Sequence, residues 1–154
     1  MPGNQPSRRQ PEPAFYLDET FPSQVGEALA SVGYAVIVPK DADKVGAKDP
    51  ELIPWLAQSG LAWITKDDGA RIRHRKELLT GNVSVVWVRG IDRSKSHITP
   101  KQLHFLLTNK LDEIARQLRS ARGAIYFLLF FNGDKASLRS TRDITAFGSL
   151  AIRE

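Results

Sequence analysis

No cysteine occurs among the 154 residues. That absence excludes disulfides, thiolate zinc sites and cysteine nucleophiles together, and it fits a reducing cytoplasm. Histidine is scarce as well. His74, His97 and His104 show no close-pair metal spacing, and each reads as a surface or helix residue. Long apolar runs are also missing. The longest, Ile125 to Phe131, is far short of the ~20 residues a membrane-spanning helix needs, and it suits a buried strand. No apolar stretch follows Arg8-Arg9 in the opening MPGNQPSRRQPEPAF, so neither a secretory nor a twin-arginine signal is predicted. There is no glycine-rich phosphate loop and no serine in a nucleophile-elbow context. The expectation is a cytoplasmic protein with no membrane segment, whose chemistry rests on carboxylates and cations.

The length suits one ordinary domain, and 42% apolar with 25% charged residues is a globular composition. The net charge of +5 conceals an asymmetry. Residues 14–68 carry four Lys/Arg against nine Asp/Glu, whereas residues 69–154 carry sixteen against seven. An acidic front half followed by a basic back half is what a metal-dependent phosphodiesterase needs. Carboxylates would hold the cation, and Lys/Arg would hold the polyanion around it. The same basic residues also suit solvated helix faces.

Residues 1–13 are polar and proline-rich and predict a disordered or weakly docked tail, leaving 14–154 as the folded domain. Apolar runs at 14–18, 34–38, 61–65, 83–88 and 124–131 predict five strands. Between them, helical patterns run from Pro22 to Val32, from Asp49 to about Ser59, from Arg71 to Leu79, and from Lys101 to about Arg122. Asp49-Pro50-Glu51 reads as a helix start with Asp at the cap. Leu103, Leu107, Leu111, Ile114 and Leu118 form the stripe of the longest helix, which reads as core before oligomer seam. Residues 40–48 read as a polar loop, and the tail from Lys135 onward is hard to assign. Continuous apolar strands alternating with helices argue for an α/β fold with a mainly parallel sheet covered on both faces.

In such a sheet, ligands gather outside the carboxyl ends of the strands. Asp18 ends the first strand and Asp67 follows the third. Asp49 comes after the second, at the start of the next helix. All three converge on one sheet edge, with Glu19, Glu51 and Asp68 as neighbours. Each acid also has a plainer role available: Asp18 and Asp49 as helix caps, Asp67-Asp68-Gly69 as a turn. Convergence has a cost. Two unit charges about 4 Å apart repel by roughly 4 kcal/mol at an effective dielectric near 20. A cation or protonation must relieve this. Oxygen-only ligands select Mg²⁺ or Mn²⁺, which can activate water for in-line displacement at phosphorus. The run Arg71, Arg73, Arg75 and Lys76 follows the third acidic motif and would grip phosphates, and Lys66, between the metal edge and this run, would also meet phosphate. Trp55, Trp63 and Trp87 fall within core elements and read as packing residues.

The string FYLDETFPSQVGEALASVGYAV resembles the opening of bacterial PIN-like domains, in which a strand, Leu-Asp-Glu-Asn and a helix lead to Gly-Tyr or Gly-His. GAKDPELIPWLAQSG resembles their next segment, and LAWITKDDG their Thr-Lys-Asp segment. The resemblance covers about residues 14–90 closely. It implies a PIN-like three-layer sandwich around a central, mainly parallel sheet of about five strands. It also implies a Mg²⁺- or Mn²⁺-dependent endoribonuclease site. Many such proteins are VapC-like toxins of toxin–antitoxin pairs, inhibited by a small antitoxin protein, so the implied partners are RNA and an antitoxin, with a homodimer possible. Asp18, Asp49 and Asp67 match the family's acids, and Glu19 and Glu51 match acids frequent in the motifs. Two departures stand out. Thr20 replaces the usual Asn, and the second acid of the third motif falls at Gly69, with Asp68 one place early. Asp68 or Glu51 would then assist the metal site.

Overall fold

A computed structural model describes residues 13–67, 69–89, 99–132 and 135–147. Asp68, His97, the side chain of Arg71, the basic loop at 90–98, nearly all of the expected N-terminal tail and the last seven residues lie outside the described residues.

The chain alternates strand and helix as its periodicity implies. The order is β1 (Phe15–Leu17), α1 (Ser23–Ser31), β2 (Val36–Ile37), α2 (Pro39–Ala42), α3 (Asp49–Ser59), β3 (Ala62–Thr65), α4 (Ala70–Arg73), α5 (Arg75–Thr80), β4 (Val85–Val88), α6 (Pro100–Ser120), β5 (Tyr126–Asn132) and β6 (Lys135–Thr141). A 3-10 turn at Ile144–Phe147 follows. The strands form one sheet in the order β2-β1-β3-β4-β5-β6, parallel except for the antiparallel β5–β6 pair.

Both sheet faces are covered, which is why the strands are apolar without alternation. Phe15, Leu17, Ile64, Val86, Val88, Phe127 and Leu129 face the layer made by α1 and α6. Tyr16, Trp63, Val85, Trp87, Tyr126 and Leu128 face the layer made by α3 and α5. The result is a three-layer α/β sandwich. Leu103, Leu107, Leu111 and Ile114 of the long helix are fully buried in the first core. A Thr99 capping box with Gln102 fixes the start of that helix. Among the described residues, no helix is long and apolar enough to cross a membrane.

Several expectations need correction. A sixth strand, β6, stands where the tail resisted assignment. It is an edge strand with exposed Lys135, Arg139 and Ser140, so its sequence lacks an apolar run. The polar stretch after β2 contains the short helix α2. The basic helix expected from Arg71 to Leu79 breaks at His74, whose φ of −122° and ψ of 25° leave the helical region. Asp49 is not the cap of α3. Lys48 holds that position, and Asp49 lies in the first turn, where a negative charge suits the helix dipole. Asp18 likewise caps no helix, since α1 starts after Pro22 without a side-chain cap.

β1 has β2 on one side and β3 on the other, so the chain's direction of travel across the sheet reverses at β1. Parallel sheets open a crevice at such a switch, beyond the strand carboxyl ends. Asp18 follows β1 directly, and Asp67 follows β3 by two residues.

Leu107→Ala should cost about 2–5 kcal/mol, because the side chain is fully buried between α6 and the sheet. Leu79→Ala, at a half-exposed position, should change stability by roughly 0.5 kcal/mol or less. Urea denaturation of the two variants measures the contrast.

Candidate functional site

A cleft of about 320 Å³ opens at the switch point, lined among others by Tyr16, Asp18, Glu19, Lys48, Asp49 and Asp67. Four of the acids singled out by position therefore share one cavity. A larger cavity of about 500 Å³ lies at the opposite, amino edge of the sheet and contains none of them.

Asp18 is the most enclosed of the acids, at 9% exposure. Its Oδ1 accepts from the Thr20 backbone N–H at 3.0 Å and also from the Thr20 hydroxyl. Its Oδ2 accepts from the Trp63 indole at 2.9 Å. The Thr20 hydroxyl in turn accepts from the Lys66 N–H at 3.1 Å, which ties the loop after β1 to the loop after β3. Burial raises the Asp18 pKa, against the opposing pull of hydrogen bonds from Thr20, Thr65 and Trp63. The Tyr16 phenol beside it is held protonated, first by burial and then by the charges of Asp18 and Glu19.

Asp67 is fixed from three sides. The Thr65 hydroxyl accepts from its N–H at 3.0 Å, its Oδ1 accepts from the Gly69 N–H at 3.1 Å, and the Trp87 indole donates to its carbonyl at 3.2 Å. Its Oδ2 pairs with Arg73 Nη2 at 2.9 Å. The same nitrogen lies 3.8 Å from Asp49 Oδ2, and His74 Nε2 lies 3.5 Å from that oxygen. Arg73 and His74 sit where the basic helix breaks, so the break delivers the guanidinium and the imidazole to Asp49.

Other expected site residues have different contacts. Glu19 accepts from the Gly46 N–H, which holds the loop before α3. Glu51 is exposed on the first turn of α3 and does not line the cleft. The Lys66 ammonium stands 5.7 Å from the centre of the Phe21 ring. Arg75 and Lys76 are exposed at the start of α5. Arg73, expected on phosphate, is paired with the acids.

Sequence reasoning missed Trp63, Trp87, Thr20 and His74 as parts of the site. A usable signal existed for the tryptophans. A buried indole N–H requires an acceptor, and both residues sit in strands that end at the carboxylate edge.

The donor set suits a hard divalent ion in its chemistry: carboxylates from three chain segments in one cleft. As the side chains stand, however, no group of three or more His, Asp or Glu among the described residues is disposed to hold a metal. The Arg73 guanidinium takes the place between Asp49 and Asp67.

A family model described as a PIN like domain matches residues 13–89, which is half of the chain and contains every acid of the cleft. No curated protein and no solved structure matches the chain significantly.

An acid whose folded pKa exceeds its unfolded value binds more protons when folded. Asp18 therefore contributes most to stability below the ordinary carboxylate pKa, and that contribution is lost as pH rises through its raised folded value. Trp63→Phe removes a donor to the charged form and should lower stability by roughly 1.5–3 kcal/mol at pH 7. The loss should shrink near pH 4, where protonated Asp18 no longer needs that donor. Denaturant titrations at both pH values measure this, and an equal loss at each would assign the indole to packing alone.

Proposed function

The chain belongs to the PIN-like domain family, and from that premise we propose that it is a metal-dependent endoribonuclease, the toxin of a type II toxin–antitoxin pair acting in the cytoplasm. Domains of this family are usually nucleases and generally use divalent metal ions. The observation that carries the reading is the sharing of one switch-point cleft by Asp18, Asp49 and Asp67. These three carboxylates would hold Mg²⁺ or Mn²⁺, with Asp68 assisting. When bound, the ion supplies the positive charge that favours attack of water on phosphorus.

The chain's own residues supply the rest. Trp63 and Thr20 hold the Asp18 carboxylate in one orientation, so it enters the reaction without reorganising. The Gly69 N–H holds the Asp67 carboxylate, and the Thr65 hydroxyl accepts from the Asp67 backbone N–H. Tyr16 walls the cleft and keeps its proton. Lys66 immediately precedes Asp67 and Arg71, Arg75 and Lys76 follow it in the chain, and these four would bind RNA phosphates on either side of the scissile bond. The toxin assignment is supported by the motif resemblance at residues 15–69. A small antitoxin, or a second copy of the chain, would meet α6 through what its buried stripe leaves outside. Phe105 is 45% exposed there and stacks on Phe131 with ring centres 6.3 Å apart.

A second reading is favoured by the Arg73 pairing. With Asp49 and Asp67 already paired to a guanidinium, the domain would bind RNA or a partner without cleaving. Its RNA affinity would fall with salt and would not need metal.

Purified chain should cleave mixed cellular RNA with Mn²⁺ and not with EDTA. Asp18→Asn and Asp67→Asn should each reduce cleavage by about 10²-fold or more, the usual scale for losing a group that organises the reacting centre. Both variants should also abolish growth arrest on expression. RNA binding that is indifferent to metal, with no cleavage by the wild-type chain, would select the second reading.

A further inference from the structure

One nitrogen, Arg73 Nη2, addresses both Asp67 Oδ2 and Asp49 Oδ2, at 2.9 and 3.8 Å. Divalent ions of the magnesium class take carboxylate oxygens at roughly 2.0–2.2 Å. An ion shared by these two acids therefore needs the space where that nitrogen lies. The Arg73 side chain is 56% exposed, so the guanidinium can swing into water without breaking core packing.

Gly69 makes room for this arrangement. Its φ of −65° and ψ of −26° are right-handed and open to any L-residue, so the backbone does not call for glycine. What glycine provides is space. A Cβ there would collide with Arg73 Nη1 and stand 3.3 Å from Asp67 Oδ1. The end of a flexible arginine would yield to it at little cost.

We propose that Arg73 is the resident cation of the carboxylate cleft, admitted by the missing side chain at Gly69, and that it competes with a divalent ion for Asp49 and Asp67. The inference rests on the metal reading given above and adds a built-in threshold to it. Arg73 offsets part of the charge of Asp49 and Asp67 at low metal, and an ion shared by these two acids enters only by exchanging with the guanidinium. The displaced head group remains tethered beside the acids, free to meet an RNA phosphate.

The test is calorimetric titration of Mn²⁺ into the metal-free full chain and into Arg73→Gln and Gly69→Ala. Each variant should bind Mn²⁺ about two- to fivefold more tightly than the wild type, the scale expected for removing a partly exposed competing ion pair. Metal-free Arg73→Gln should also melt at lower temperature than the wild type and regain the difference with Mn²⁺. Unchanged or weaker affinity in both variants, beside measurable wild-type binding, would overturn the inference and leave the metal reading standing. A gain in Arg73→Gln alone would keep the competing cation and overturn the role of Gly69. No Mn²⁺ binding by any of the three would overturn both readings. Tighter binding in the variants without RNA cleavage by any of them would uphold the inference and remove the nuclease assignment.

Discussion

A carboxylate buried at the mouth of a parallel sheet is the constraint that organises this molecule's carboxyl edge. Asp18 leaves β1 with almost no access to water, and a buried ionised carboxylate costs several kcal/mol unless donors surround it. The donors come from both neighbouring segments. Trp63 reaches from the adjacent strand β3, and Thr20 bends back from the loop that follows. The Thr20 hydroxyl then accepts from Lys66, so satisfying Asp18 also sets the distance between the two loops that carry Asp18 and Asp67. Thr20 stands where the family motif has Asn. Either residue offers a short polar side chain able to bond a nearby backbone, and here the hydroxyl both donates and accepts.

The tryptophans serve two levels of structure at once. Trp63 and Trp87 fill the core between the sheet and the α3–α5 layer, and both are almost wholly buried. Their indole nitrogens would be unsatisfied there without acceptors. They find them at the carboxyl edge, one on the Asp18 carboxylate and one on the Asp67 backbone. Core packing thereby fixes the positions of two acids, with no dedicated loop required. Mutual repulsion of the acids is then met by Arg73, and the His74 ring approaches Asp49.

Much of this was legible in the sequence, for identifiable reasons. Continuous apolar strands and intervening helices specify a sheet buried on both faces, and the acids after β1 and β3 follow from where those strands stop. β6 was not legible, because an edge strand with polar side chains shows neither helical nor apolar periodicity. The cap of α3 was misplaced by one residue because Asp-Pro suits both the cap and the first turn. Of the site, the acids could be read and their partners could not. Hydrogen bonds such as Trp63 to Asp18 span 45 positions of sequence, and only the strand register brings them together.

The break between α4 and α5 explains why the basic run does more than coat a helix. A continuous helix from Arg71 onward would space its cations around the axis at 100° intervals, with Arg73 and His74 on diverging faces. Departure from helical geometry at His74 ends α4 one turn after the acidic loop, and α5 starts afresh. Arg73 then folds back over Gly69 onto Asp67, while the His74 ring, largely enclosed, approaches Asp49. The boundary between the acidic and basic halves of the chain falls at this point, so the charge asymmetry seen in the sequence closes on itself. The first cation described beyond the boundary neutralises the last acid described before it, and the exposed Arg75 and Lys76 lie beyond on α5.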